Sequence, residues 1–590
     1  MKKIFTLLFI ALLGNFSVQA QQRILPKGFA PGEAALIPAY NELNAQRGPT
    51  GISSPPNSPV RTMAEWEEVQ AIVITWSGFN SILADIVRYA RLECEVIIVC
   101  SNENAVKNYL GNAGVDWSSN VSFIEDEYDS IWVRDYGPNT VYTNDVDSLL
   151  LVDWIYNRPR YDDDKVSDVV GNFMGLPVYS TDNGAAGTDL VHTGGNFMAD
   201  GLGQAFSSEL VLEENGPFNQ FGSSNHSNAE VDEIMDSFMG IESYPKMTVL
   251  PYDGIHHIDM HMKLLDEETL IVGQYPTNVA DGPQIEANIQ YVLENYTTKA
   301  GNQHKVIRIP MPPDFNGAYP NTNGDYRTYT NALFVNKTIL IPVYQEQYDT
   351  TALNIWRAAM PGYNVQGINC NTIIPYGGAI HCITKEVGVS NPLWIAHARV
   401  RSALPDVMIP ITATIKHKEG IEQAKLFYAV GAPENFTEVA MTYDGGTAEW
   451  TGMIPGQEGS AKVYYYIYGK ANDGKEQLRP MPAPEAYFDI QIDPYIVSTT
   501  DVDAVESRIG EVFPNPAGAM TCIPVVAERT TPARIVLKDL YGRQLTTIFT
   551  GQLQKGESKH FIDVQTLPAG TYLIALETDK DVAVKKLTVK

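Results

Sequence analysis

Apolar residues fall in short blocks along most of this chain, and their spacing changes character twice. From Met63 to about Arg401, blocks of strand length alternate with stretches of helical spacing. Positions 69–76 predict a strand, 80–92 a helix, 95–99 a second strand and 103–111 another helix. The alternation recurs through blocks 149–152, 269–272 and 338–343, so this region reads as α/β. After Pro405 the pattern becomes short alternating strands separated by turns. Blocks 426–430, 462–468 and 486–490 fit a small β-sandwich of immunoglobulin type, and 512–590 is again all-β in texture.

The start of the chain has a different pattern. Lys2-Lys3, an apolar run over 4–13 and Val18-Gln19-Ala20 predict a secretory signal peptide cut after Ala20, because the run is too short to span a bilayer. Residues 21–60 are rich in Pro, Gly, Asn and Ala and end in Ser53-Ser54-Pro55-Pro56-Asn57-Ser58-Pro59. They read as a linker or pro-segment with no part in a core. The expected divisions are therefore 1–20, 21–60, a catalytic region over 61–402, the sandwich over 403–497 and a terminal β-domain over 498–590.

Composition narrows the partners. The net charge of −28 disfavours nucleic acid and anionic membrane surfaces; it would also draw in cationic substrates, but by itself it reads first as a solubility device. No later stretch is long and apolar enough to predict a membrane span. Five cysteines leave at least one thiol free, and Cys94 and Cys100, flanking an apolar strand block, read as core residues.

Cys382 is different, because it lies in Gly377-Gly378-Ala379-Ile380-His381-Cys382-Ile383-Thr384. Two glycines allow close approach of a ligand, and a thiolate is a strong nucleophile that needs a proton partner. If the motif is a strand, His381 points away from Cys382, so a distant histidine is required. His256-His257-Ile258-Asp259-Met260-His261 supplies one. Read as a strand, it puts His257, Asp259 and His261 on one face, which also suits a metal. With no second ligand cluster elsewhere, the acid/base reading of His257 and Asp259 is preferred. Trp132-Val133-Arg134-Asp135 offers an aromatic face and a carboxylate, both suited to a planar guanidinium.

Together Trp132-Val133-Arg134-Asp135-Tyr136-Gly137-Pro138, Gly194-Gly195-Asn196, His257-Ile258-Asp259 and the Cys382 motif resemble the guanidine-modifying superfamily, in the branch of agmatine deiminases and secreted bacterial peptidylarginine deiminases. The resemblance implies a five-bladed α/β propeller. It also implies Cys382 as nucleophile, His257 as general acid/base, Asp135 and Asp259 as guanidinium-binding carboxylates, and Asn331 as an active-site amide. No cofactor is implied for catalysis, and calcium or sodium would be structural. Arg158 and Arg160 in Trp154-Ile155-Tyr156-Asn157-Arg158-Pro159-Arg160 resemble the paired arginines that clamp a substrate's C-terminal carboxylate; the alternative is local pairing with Asp162, Asp163 and Asp164.

At the other end, Val512-Phe513-Pro514-Asn515-Pro516, Leu540-Tyr541-Gly542-Arg543, Leu567-Pro568-Ala569-Gly570-Thr571-Tyr572-Leu573 and the terminal Val584 to Lys590 resemble the C-terminal sorting domain of type IX secretion. That resemblance implies the type IX machinery as a partner and a secreted or outer-membrane-surface protein. The expected activity is deimination of peptidyl-arginine, preferring a C-terminal arginine. Deimination of agmatine or free arginine, and a surface adhesin with a vestigial catalytic region, are the alternatives.

Overall fold

A computed structural model describes residues 24–47, 51–492, 507–539, 543–578 and 582–590. The signal peptide expected over 1–20 and the Leu540-Tyr541-Gly542 part of the sorting motif lie outside the described residues.

The catalytic region is one structural unit used five times. In four of them a strand forms an antiparallel hairpin with the next, a helical segment crosses over, and a third strand joins in parallel; the fifth has the same pairing without the hairpin connection. Met262–Leu264 pairs with Thr269–Gln274, helix Gly282–Asn295 follows, and Lys305–Pro310 joins in parallel. Leu333–Val335, Thr338–Val343, helix Glu346–Ala359 and Asn364–Asn369 repeat the arrangement. Asn139–Thr143, Leu149–Tyr156 and Val178–Thr181 form a third unit around helix Val166–Met174. Met198–Ala199, Ala205–Ser208 and Lys246–Met247 form a fourth.

The fifth unit draws on both ends of the region. Lys385–Gly388 pairs antiparallel with Val69–Thr75, which runs parallel to Glu95–Cys100, with helix Asn80–Ala90 between them. The last strand thus closes on the first. Central strands such as 95–100 and 338–343 are continuous apolar runs because both faces are covered, as parallel strands require.

The later regions each have their own apolar core. Two sheets enclose Ile411, Leu426, Ile454, Val463, Tyr465 and Ile490. Their core takes in Leu393 and Ile395, and strand Trp394–Ala396 pairs with Ile409–Lys416, so this core begins upstream of residue 403. At the C-terminus a three-stranded and a four-stranded sheet enclose Ile523, Ile535, Leu537, Ile574 and Leu576. Among the described residues no helix is long and apolar enough to cross a membrane.

The N-terminal segment corrects a sequence expectation. Residues 24–47 were expected to take no part in a core, yet Lys27, Ala30, Ile37 and Tyr40 are buried. Helix Ile37–Arg47 packs Ile37 and Tyr40 against Val191 and Phe221, and Arg47 pairs with Asp168 at 3.1 Å. Proline and glycine there shape a path across the catalytic region instead of loosening a linker.

Candidate active site

Each unit presents its polar motif just before its first strand. Residues Val133–Tyr136 make one helical turn ahead of Asn139. The turns Gly194–Asn196, Ile258–Met260 and His381–Ile383 precede Met198, Met262 and Lys385. Asn331 stands two residues ahead of Leu333. Five chain entries therefore converge, and Asp135, His257, Asp259, Asn331 and Cys382 meet there, each no more than 1% exposed.

These motifs are 3₁₀ or helical turns, which changes two strand-based expectations. His257, Asp259 and His261 do not share a strand face: His257 caps the turn, Asp259 lies inside it and His261 ends it. His381, expected to face away, points into the same site as Cys382, because a 3₁₀ turn rotates successive side chains by about 120° and a strand by about 180°. His381 Nδ1 lies 2.8 Å from Asp259 Oδ2, and its Nε2 lies 3.1 Å from Glu65 Oε1. It holds Asp259 in place and does not serve the thiol directly.

Cys382 Sγ accepts a hydrogen bond from Asn331 Nδ2 at 3.0 Å and stands 3.4 Å from Asp259 Oδ2. Asn331 Oδ1 receives the backbone N–H groups of Ala379 and Cys382 at 3.2 and 3.4 Å, so one amide fixes both Cys382 and the loop before it. Gly378 is needed on steric grounds: a Cβ there would lie 2.7 Å from the Trp132 ring and 2.8 Å from Cys382 Sγ. Gly195 has a parallel role, since its Cβ would lie 2.5 Å from His257 Nδ1 and 2.9 Å from Asp135 Oδ1. Its N–H donates to that Asp135 oxygen at 3.1 Å.

The site also contains a residue the sequence reading did not anticipate. Lys27 is fully buried, and its Nζ donates to Cys382 Sγ at 2.9 Å. The same Nζ lies 3.6 Å from Asp259 Oδ1 and 3.8 Å from Asp135 Oδ1. Each carboxylate at such a distance contributes on the order of 4 kcal/mol at an effective dielectric near 20. Together they offset a burial cost of several kcal/mol for the ammonium. Burial alone would lower the Lys27 pKa; the two aspartates and the thiol more than reverse this, and the amine stays charged. A lone lysine within Ile24-Leu25-Pro26-Lys27-Gly28-Phe29, otherwise apolar, was the available signal.

The remaining charges follow from burial and Lys27. Burial raises Asp259, but Lys27 and His381 hold its carboxyl far below the usual range. Asp135 is raised by burial against the pull of Lys27. His257 is held well below its ordinary value by burial, then by Lys27, so it is neutral. Neither of its ring nitrogens has a hydrogen-bond partner among the described residues, and Nδ1 stands 3.5 Å from Asp135 Oδ1. Burial and Asp259 push the Cys382 thiol up to about 12, with Lys27 pulling the other way. A neighbouring cation therefore favours the thiolate. Among the described residues no group of three or more His, Cys, Asp or Glu is arranged to hold a metal ion.

Trp132 is buried beside the cysteine loop, and its indole N–H donates to the Leu25 carbonyl at 3.0 Å. Arg158 Nε donates to the Lys27 carbonyl at 3.1 Å. Arg160 forms a two-pronged pair with Glu33, at 2.7 and 3.1 Å, and donates to the carbonyls of Pro26 and Gly28. Neither arginine forms an ion pair with Asp162, Asp163 or Asp164; both face the pocket and the N-terminal segment that fills it.

The chain is similar to several known proteins. A "Putative agmatine deiminase" of Vibrio parahaemolyticus is 25% identical over 55% of this chain and 95% of its own length. A solved structure titled as a putative arginine deiminase from Porphyromonas gingivalis has a TM-score of 0.49 at 18% identity, covering 56% of this chain and 98% of that one. Another, titled as a putative agmatine deiminase, reaches a TM-score of 0.50 at 20% identity, covering 57% of this chain and 98% of its own, and is a likeness of fold. Residues 511–590 match the secretion system C-terminal sorting domain, the type IX tail. Residues 61–387, more than half of the chain and the span that brings Cys382, His257 and the two aspartates together, match the Porphyromonas-type peptidyl-arginine deiminase model, and the chain belongs to that family.

Proposed function

We propose that this chain hydrolyses peptidyl-arginine, preferring a C-terminal arginine, to peptidyl-citrulline and ammonia. The observation that carries the reading is a peptide-borne cation seated between Asp135 and Asp259, 2.9 Å from the Cys382 sulfur, with its carbonyl held by Arg158. In a C-terminal arginine that carbonyl oxygen is one of the two carboxylate oxygens, and Arg158 binds it with added charge. Agmatine lacks the group and would forgo this contact, leaving Arg158 with only its bond to the Asn157 carbonyl at 2.6 Å and the nearby Glu214 carboxyl.

In this scheme the guanidinium cation favours the Cys382 thiolate, as Lys27 does, and His257 takes the thiol proton. Sulfur attacks Cζ, an Nη leaves as ammonia with the proton from His257, and a thiouronium remains on Cys382. His257 then removes a proton from water, the oxygen bonds to Cζ, the C–S bond breaks and citrulline is released. No cofactor enters the scheme. We infer further that the five sheets are blades of an α/β propeller, that the sheets of residues 393–492 form an immunoglobulin-type sandwich, and that the sorting domain directs the enzyme to the exterior or the outer-membrane surface.

A citrulline assay on a peptide ending in arginine, a peptide with internal arginine, and agmatine tests the reading. Activity is expected on the peptides, highest on the first, and activity confined to agmatine would overturn it. The Arg158→Ala variant should raise KM for the C-terminal arginine far more than for the internal one; equal changes would remove the carboxylate clamp.

A further inference from the structure

Lys27 copies a substrate atom by atom. Counting outward from Cα, lysine Nζ occupies the position that Cζ has in arginine. In this site that atom stands 2.9 Å from the Cys382 sulfur, at the short edge of the near-attack separation of about 3–3.5 Å. Its separations of 3.6 and 3.8 Å from Asp259 and Asp135 are too long for hydrogen bonds. They suit a guanidinium carbon, whose nitrogens project about 1.33 Å further toward the carboxylates, taking the C–N length of a conjugated amide. Asp259 Oδ1 is buried with no hydrogen-bond partner among the described residues while Lys27 is present. The pocket is thus shaped for a guanidinium and filled by an amine, which offers the sulfur no electrophilic carbon.

The segment is bound as a peptide, by its main chain. Trp132 reads the carbonyl of Leu25, Arg160 those of Pro26 and Gly28, and Arg158 that of Lys27. The Lys27 N–H donates in turn to the Tyr376 carbonyl at 2.8 Å. Four consecutive carbonyls are therefore read, with the side chain in between entering the pocket. Main-chain hydrogen bonds for grip with a pocket for one side chain are how clefts recognise extended peptides. The Glu33–Arg160 pair and the following helix anchor the segment downstream.

We propose that the N-terminal segment is an intramolecular pseudosubstrate: Lys27 occupies the guanidinium subsite as an unreactive stand-in, and the site turns over external substrate only when the segment is withdrawn. The proposal rests on the deiminase reading for its chemistry, while the occupancy can be tested without it.

The test uses the full chain and its Lys27→Ala variant. Two rates are measured: citrulline formed from an arginine peptide, and alkylation of Cys382 by a haloacetamidine, an amidinium electrophile that needs only an open pocket and a thiol. Both should rise in the variant by at least tenfold, a closed-state bias of about 1.4 kcal/mol or more. Equal rates in the two chains would overturn the pseudosubstrate. Faster alkylation with no citrulline from any substrate would keep it and sink the deiminase reading.

Loss of Lys27 leaves two buried carboxylates close together, so a charge-preserving variant provides a second route. In Lys27→Arg, position 27 should itself become citrulline: water supplies the new oxygen, one nitrogen leaves as ammonium, and the rate is independent of protein concentration and lost with Cys382→Ala. An arginine that stays intact at position 27, in a chain that deiminates added peptide, would overturn the proposal. A synthetic peptide of residues 24–36 should re-inhibit the Lys27→Ala chain, and the same peptide with alanine for the lysine should not.

Discussion

The catalytic region and the C-terminal β-domain are stabilised in different ways. The first buries Arg134, Asp135, His257, Asp259 and His381, each at most 2% exposed. The second is built around Ile523, Ile535, Leu537, Ile574 and Leu576, and its most buried polar groups are uncharged, such as Thr521 and Thr531. Apolar burial is favourable at every contact, whereas each buried charge carries a desolvation cost that only a partner offsets. The catalytic region bears that cost where a cation must be held and a thiol placed. The terminal domain, whose described residues show no such chemistry, has no reason to.

The largest expected difference between the two regions is in activity. Replacing the proposed nucleophile, Cys382→Ala, should cut turnover by at least about 10³-fold without unfolding the region. Ile574→Ala should leave kcat unchanged while costing the terminal domain about 2–5 kcal/mol through lost burial and a cavity. Citrulline release and calorimetry with resolved transitions check both. A drop in kcat with Ile574→Ala would show that the regions are not separable.

Breaking a buried ion pair should be the next largest effect. Arg134 forms a two-pronged pair with Glu386 at 3.0 and 2.6 Å and donates to the His381 carbonyl. Arg134→Met should cost about 3–5 kcal/mol, because Glu386 is left buried and unpaired. The exposed Lys585–Glu511 pair of the terminal domain should lose within about 0.5 kcal/mol on Lys585→Ala. Comparable losses in urea titrations would remove the distinction.

A pH-dependent effect should be smaller. Burial raises the Glu214 carboxyl to about 8, with Arg158 and Asn157 pulling against it. A raised carboxyl pKa means that the folded state keeps a proton the unfolded state releases. Its contribution is fully present below about 4.5 and is lost as pH rises through 8. Glu214→Gln should therefore gain on the wild type as pH rises across that window, by at most about 1.4 kcal/mol per pH unit crossed. Ile574→Val should cost about 0.5–1.5 kcal/mol at every pH. Thermal unfolding between acid and mildly alkaline pH measures both, and a Glu214→Gln difference independent of pH would overturn the account.

Much of the fold was legible because its signals are local. Strand 338–343 and the helix starting at Asn80 follow directly from runs of apolar residues, and so do the alternating strands of the later regions. The site was legible as residue types: Cys382, His257, Asp135, Asp259 and Asn331 converge as the motifs implied. Local conformation was less legible. Two residues apart on a strand share a face, and two apart on a 3₁₀ turn do not, so assuming strands assigned the wrong neighbours to His381 and His261.

The sequence alone determined the repeated strand–helix pattern, the ordered motifs and the sorting tail, since each is carried by neighbours a few residues apart. Only the tertiary structure decided what occupies the pocket. Lys27 and Cys382 are 355 positions apart, and their contact depends on five chain entries converging on one buried point. A lysine in a proline- and glycine-rich stretch has no local periodicity to mark it. Its role arises from two carboxylates and a thiol that meet it only after the chain has closed on itself.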